Sequence, residues 1–200
     1  MVLDVLLSSK NYEVAGIVDL KDRVGSKVLG IPVIGTDLEL PRFFKSGIKN
    51  CFITVGSVGN PRLRVHLYQM AQKIGFTFPN VISPKALVSS FAILGQGNYI
   101  APGVIINAGS KIGNNCIINT SAIVEHDCTI GDFVHLSPGS ILSGDVIVGD
   151  HAHIGSGGVV IQNLAIGPKA VVGAGSVVTK NIRKNMVAYG NPCKERKKNV

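Results

Sequence analysis

The stretch Ile112-Gly113-Asn114-Asn115-Cys116-Ile117-Ile118-Asn119-Thr120-Ser121-Ala122-Ile123-Val124-Glu125-His126-Asp127-Cys128-Thr129-Ile130-Gly131-Asp132-Phe133 decides the fold, because an aliphatic residue returns in it every six positions. Ile112, Ile118, Val124 and Ile130 mark the beat. Extended both ways, the beat runs from Ile82 to Val178 through seventeen consecutive Ile, Val or Leu residues. Four positions after each stands a mostly small residue, such as Ala86, Ala92, Ser110, Cys116, Ala122, Cys128, Ser140, Ala152, Ala170 or Ser176. Gly95, Gly113, Gly131, Gly149 and Gly167 add a second period of eighteen. Self-similarity at a fixed period is the mark of a solenoid.

Neither period gives a helical stripe, which needs about 3.6 residues per turn. Short extended segments with a corner every six residues instead close a triangular coil every eighteen. The aliphatic residue and the small residue four later then share one strand face and point inward. Gly, Asn, Asp, Pro and Ser between them suit the corners. The span from Ile82 to Ile182 holds fewer than six such coils, a prism about 27 Å tall at a strand spacing of about 4.8 Å.

The hexads Ile112-Gly113-Asn114-Asn115-Cys116 and Ile130-Gly131-Asp132-Phe133-Val134 resemble those of the hexapeptide-repeat acyltransferases, which fold as left-handed parallel β-helices. The left hand comes from the resemblance alone, since the general crossover rule favours the right hand.

Composition bounds the rest. In 200 residues the hydrophobic fraction is 46% with no Trp, so the core is aliphatic. Four Cys are too few and too irregular for a disulfide framework. Cys116 and Cys128 fall in the inward small phase and are expected as buried thiols, in keeping with a cytoplasmic protein. Met1 leads to Asp4 without a basic leader, so no signal peptide is expected. Ala86 to Ser110 is free of charges, but its six-residue period and its Gly, Asn and Pro residues exclude a membrane span. The net charge of +8 includes a basic end at Lys194, Arg196, Lys197 and Lys198. It reads as a solvated tail or a counter-charge for phosphorylated small molecules, with no basic face suited to nucleic acid.

Ahead of the repeat, helices alternate with apolar runs. Val2 to Ser9 reads as helix with Val2, Val5 and Leu6 on one side. Tyr12 to Val18 reads as a buried strand ending in Asp19, and Cys51 to Val55 as a second strand ending before Gly56. Thr36 or Asp37 caps a helix over Leu38 to Lys45, and Leu63, Leu67, Met70 and Ile74 give a helix its sheet-facing side. Phe76 to Ile82 is extended and hands over to the repeat. Residues 1–80 are thus expected to form a small Rossmann-like α/β domain, and 81–200 the β-helix with its tail. Ligands of such α/β domains sit at the carboxyl ends of strands, where Asp19, Leu20 and Gly56 lie. Asn60 or Pro61 opens a helix N-terminus that favours an anion.

The order of the two parts, together with Asn119-Thr120-Ser121-Ala122-Ile123-Val124-Glu125-His126-Asp127-Cys128 and Gly131-Asp132-Phe133-Val134-His135, resembles the sialic acid O-acetyltransferase and nucleotide-amino-sugar N-acetyltransferase family of bacterial glycan pathways. Its members begin with a strand and a glycine-rich loop ending Gly-His. This sequence opens inside or near the following helix, so the N-terminal domain is expected to lack its usual first strand.

His126 falls at an outward corner position, flanked by Glu125 and Asp127, with Ala108 one coil below and Gly144 one above. Acetyl transfer from a thioester needs a base of near-neutral pKa, a carboxylate that orients it, and donors for the oxyanion. His126 is read as the base. The resemblance places the orienting acid at Asp127, and Glu125 is the rival. It also implies acetyl-CoA as co-substrate in a groove between the prisms of a homotrimer, touching His135, Gly144, Ser156 and Ala174, with Gly190-Asn191-Pro192 near the adenine. Outward Ile105, Ile117, Ile123 and Ile141 fit such an interface. Asp19, Leu20 and Gly56 are the expected contacts of the acceptor, a UDP-4-amino-sugar or similar nucleotide sugar as first choice and a sialic acid as second. No metal is expected. Two rivals are a γ-carbonic-anhydrase-like metal site at His135, His151 and His153, and a non-catalytic trimeric binding scaffold.

Overall fold

The computed structural model describes residues 1–9 and 11–199. From Val81 onward the chain winds through two-residue strands on three faces. The first face carries Val81–Ile82, Tyr99–Ile100, Ile117–Ile118, His135–Leu136, His153–Ile154 and Val171–Val172, ending on Met186–Tyr189. The second runs from Leu87–Val88 to Val177–Val178, and the third from Ile93–Leu94 to Ala165–Ile166. Every pairing along these coils is parallel and steps by one coil, as in Ile117 with His135 and His135 with His153.

The rhythm of the sequence becomes the core. Ile100, Ile118, Leu136, Ile154, Val124 and Leu142 are fully buried, and so are the small residues Cys116, Ala122 and Cys128. Only in the first coil are the beat residues Ile82, Val88 and Leu94 half-buried, because no further coil stacks below them. Each corner needs a residue with positive φ, and one recurs every sixth position from Gly97 to Gly175. Asn115, Asp127, Asp145 and Asn163 fill some of these places, residue types that tolerate the left-handed region.

The eighteen-residue glycine period has a separate cause. A Cβ on Gly113 would lie 2.7 Å from the backbone carbon of Gly131 in the next coil. Beside these glycines a ladder climbs one edge: Asn114 N–H donates to Asp132 at 2.7 Å, and Asp132 N–H to Asp150 at 2.9 Å.

The N-terminal part contains α1 (Val2–Ser9), α2 (Leu40–Lys45), α3 (Arg62–Ile74), and a small sheet of β1 (Ile17–Val18), β2 (Lys27–Val28) and β3 (Ile31–Gly35). Val2, Val5 and Leu6 of α1 do share a side, and it packs on the β-helix, with Val5 buried among the coil residues. The second cluster, Leu40, Ala71, Phe76 and Phe78, belongs to the α/β part. Thr36 and Glu39 form a capping box ahead of α2, since Thr36 N–H and Oγ1 both reach Glu39 Oε2.

Several expectations give way here. The strand expected over Tyr12 to Val18 pairs only at Ile17 and Val18, with Val33 and Gly35 of β3, and is half-buried. Cys51 to Val55 joins no ladder; Asn50 bridges Thr77, and the carbonyls of Ile53 and Val55 accept instead from the Arg64 guanidinium. On α3, Leu63 faces solvent, while Arg64 and Ala71 take the buried side. Lys27–Val28 forms an antiparallel hairpin with β3 across Leu29-Gly30, both of positive φ. Beyond Met186–Tyr189, the basic end forms an antiparallel strand, Lys194–Lys198, mostly exposed. Among the described residues no helix is long and apolar enough to cross a membrane.

Candidate active site

His126 sits on the corner between the second and third faces, followed by Asp127 at φ +60°. That turn brings the Asp127 carboxylate back to the imidazole, and His126 Nδ1 lies 2.9 Å from Asp127 Oδ2. A carboxylate only accepts, so Nδ1 carries the hydrogen and Nε2 is left with its lone pair. Both side chains are about 60% exposed (60% and 59%). The hydrogen bond that His126 Nδ1 donates to Asp127, reinforced by nearby carboxylates, raises the His126 pKa above its ordinary value.

The neighbouring coils frame the pair. Glu125 does not reach the ring; its Oε2 accepts from Asn107 Nδ2 one coil below at 2.7 Å. Gly144, one coil above, is buried, and a Cβ built on it would come within 2.6 Å of His126 Cε1 and Nε2. Asp145, the coil neighbour of Asp127, brings a carboxylate oxygen within 4.8 Å of ligand atoms of both His126 and Asp127. Sequence reading missed Asp145, although the step of eighteen from Asp127 would have found it.

The other expected site residues lie apart. His135 is on the first face beneath the α/β part, where its Nδ1 donates to the Ser57 carbonyl at 2.6 Å and burial lowers its pKa. Ser156 and Ala174 are exposed at a different corner, between the first and second faces. There the adjacent Gly157 and Gly175 have open space around any added Cβ. Asp19 and Gly56 line a cavity of about 1040 Å³ between the α/β part and the first face, with His135 and Asn119 on its floor. Asp19 Oδ1 accepts from Leu20 N–H, and the Leu20 side chain is exposed. One chain therefore does not bring Asp19, Leu20 or Gly56 to the His126 corner. Ile117 is also not free for a trimer face, because it is 9% exposed and lines the same cavity.

The three-histidine metal reading fails on geometry. His135 and His153 stack edge to face at 4.9 Å, whereas His151 stacks on Phe133 at another corner. Among the described residues the one group with metal-ligating atoms close together is His126, Asp127 and Asp145.

Comparison with known proteins fits this arrangement. The model of the PglD N-terminal domain matches residues 1–71, and that of the bacterial transferase hexapeptide (six repeats) matches 109–144 and 127–162. No match is found among curated proteins. Among solved structures, the perosamine N-acetyltransferase of Caulobacter crescentus, in complex with CoA and GDP-perosamine, is 41% identical with a TM-score of 0.92, over 98% of this chain and 90% of that one. This chain belongs to the hexapeptide-repeat acetyltransferase family. The acetyltransferase domain of PglB from Neisseria gonorrhoeae, in complex with acetyl coenzyme A, is 38% identical with a TM-score of 0.85, over 98% and 92% of the two chains. WeeI from Acinetobacter baumannii is 28% identical with a TM-score of 0.82, over 96% and 91%. The fold of this hexapeptide acetyltransferase is accordingly a left-handed β-helix behind an α/β domain.

Proposed function

We propose that this acetyltransferase moves the acetyl group of acetyl-CoA onto the amino group of a nucleotide-linked amino sugar in bacterial glycan biosynthesis. The observation that carries the reading is the exposed His126–Asp127 pair, with Nδ1 held by the carboxylate and Nε2 free. Whole-length likeness to an N-acetyltransferase solved with CoA and GDP-perosamine supports the substrate class.

His126 Nε2 accepts the proton of the acceptor amine as its nitrogen attacks the thioester carbonyl. Asp127 keeps the ring in the required tautomer and stabilises the imidazolium that forms. As the C–S bond breaks, the same proton passes from Nε2 to the departing sulfur, so the ring ends neutral. The thioester supplies the activated acyl group. Ser156 and Ala174 are the expected seat of the CoA chain, and their exposed, glycine-flanked corner is open enough to take it. His135 and Gly144 complete that set as proposed contacts, with Asp19, Leu20 and Gly56 on the acceptor side.

We place the division between the α/β and β-helix domains at about residue 80. The scattered positions of these groups on one chain favour a homotrimer, in which neighbouring prisms complete each site. Ile105, Ile123 and Ile141 are half-buried on the second face and suit that contact. Four free cysteines suit a cytoplasmic setting.

The test is release of CoA thiol with a panel of nucleotide-linked amino sugars and free sialic acids. Turnover is expected with an amino-sugar nucleotide, and His126→Ala should lower it by about 10²–10⁴-fold. Turnover confined to hydroxyl acceptors, or near-normal activity in His126→Ala, would overturn the assignment.

A further inference from the structure

Asp145 stands beside the His126–Asp127 pair with an unused carboxylate. It belongs to the corner column Gly109, Asp127, Asp145 and Asn163, each eighteen residues from the next and each at positive φ. Its N–H donates to the His126 carbonyl at 3.1 Å, which fixes its backbone over the base. Gly144, the residue before it, faces the Cε1–Nε2 edge of the ring, so the coil that carries Asp145 passes along the reacting edge of the imidazole. The Asp145 side chain is exposed, and among the described residues no group donates to its carboxylate.

An oxygen of that carboxylate lies no more than 4.8 Å from a ring nitrogen of His126. Two acceptors bridged by one tetrahedral nitrogen, through hydrogen bonds of about 2.9 Å, stand about 4.7 Å apart. The two groups are thus close enough to share one donor nitrogen. Donor counts then separate amines from hydroxyls. An amine that points its lone pair at the thioester carbonyl keeps two N–H groups, one for His126 Nε2 and one for a second acceptor. A hydroxyl has a single O–H, which His126 takes. Its remaining lone pair would face the Asp145 carboxylate with no hydrogen between them. The attacking nitrogen also gains positive charge, which a carboxylate placed beside it stabilises.

We propose that Asp145 is a specificity residue of the transfer, accepting the second N–H of the acceptor amine and so selecting amines over hydroxyls. The assignment rests on His126 being the base for an amino-sugar acceptor. Selection of this kind has two sides: a hydrogen bond gained by the right acceptor, and an unpaired charge set against the wrong one.

The test uses the full chain with CoA bound and two probes in calorimetry. One is the amino-sugar nucleotide that the thiol-release assay turns over, and the other is the same compound with a hydroxyl in place of the amine. Gly109 and Asn163 fill the same corner in other coils, so glycine and asparagine both suit the positive φ of Asp145. Asp145→Gly should weaken binding of the amino compound roughly 10- to 100-fold, the worth of a hydrogen bond to a charged group. Binding of the hydroxyl compound should be unchanged or tighter. Asp145→Asn keeps a carbonyl acceptor without the charge and should fall between glycine and the parent. An amine-to-hydroxyl affinity ratio in Asp145→Gly equal to that of the parent overturns the proposal, whether both compounds weaken together or neither changes. If the parent turns over no amino-sugar nucleotide, or His126→Ala keeps its activity, the underlying reading fails and takes this one with it.

Discussion

Gly144 is the shelf on which the His126 imidazole rests. A methyl group there would sit 2.6 Å from Cε1 and Nε2, well inside contact distance. His126 is exposed and free to swing away, so Gly144→Ala should displace the ring rather than disrupt the coil. Gly144 has no positive φ, so alanine adds no backbone strain. We expect kcat to fall about 10- to 100-fold, because angstrom-scale misplacement of a catalytic group costs that much. Thermal stability should stay within about 1 kcal/mol of the parent. Circular dichroism melting alongside steady-state kinetics separates the two effects.

Asp127 raises the pKa of His126 through their hydrogen bond, so its removal has a defined sign. A base must be deprotonated to act, and the acid limb of the rate profile follows its pKa. Asp127→Asn keeps a residue type that tolerates the positive φ at that corner. The acid limb should then move to lower pH, while the plateau rate falls through loss of the tautomer and imidazolium support. An acid limb that stays in place would show that His126 does not carry the titration.

The sequence makes the coil legible because one side-chain property, aliphatic or small, repeats at a fixed phase and needs no partner outside the repeat. It also singles out His126, whose corner position follows from the phase. The orienting acid was undecided between Glu125 and Asp127, since the answer depends on the neighbouring coil. Asn107 engages Glu125, and the positive φ of Asp127 turns that carboxylate toward the ring. The strands at Tyr12–Val18 and Cys51–Val55 have the right apolar character, but a ladder depends on neighbours as much as on propensity. Arg64 escaped notice because a charged residue on a helix reads as solvent-facing. In the structure it is 2% exposed and ties Ile53, Val55 and Asn115 together. Burial with few compensating charges brings its pKa down to about 10.

The eighteen-residue glycine period yields a stability prediction. At Gly113 an added Cβ meets backbone of the next coil, at 2.7 Å from the Gly131 carbon and 2.8 Å from its carbonyl oxygen. Backbone in a stacked coil cannot swing aside as His126 can. Gly113→Ala should therefore destabilise the fold by about 1–3 kcal/mol, the usual cost of overpacking. Gly113 has no positive φ, so the clash alone carries the cost, and urea denaturation would read it as a lower midpoint.

The stacked pair His135 and His153 couples stability to acid. His153 is 6% exposed, its Nδ1 has no partner, and burial, with His135 adding to it, pushes its pKa down to about 4. His135 shifts the same way, chiefly by burial, with the Arg64 cation adding to it. The folded state thus holds these rings neutral while the unfolded chain takes up protons near pH 6.5. Stability is fully present above that value and is lost as pH falls from about 6.5 toward 4, by on the order of 1–3 kcal/mol. Urea midpoints between pH 7.5 and 5 should fall accordingly. His153→Gln keeps a polar side chain of similar reach beside Ser137 and should flatten the slope. If the slope is unchanged in that variant, other groups carry the acid sensitivity.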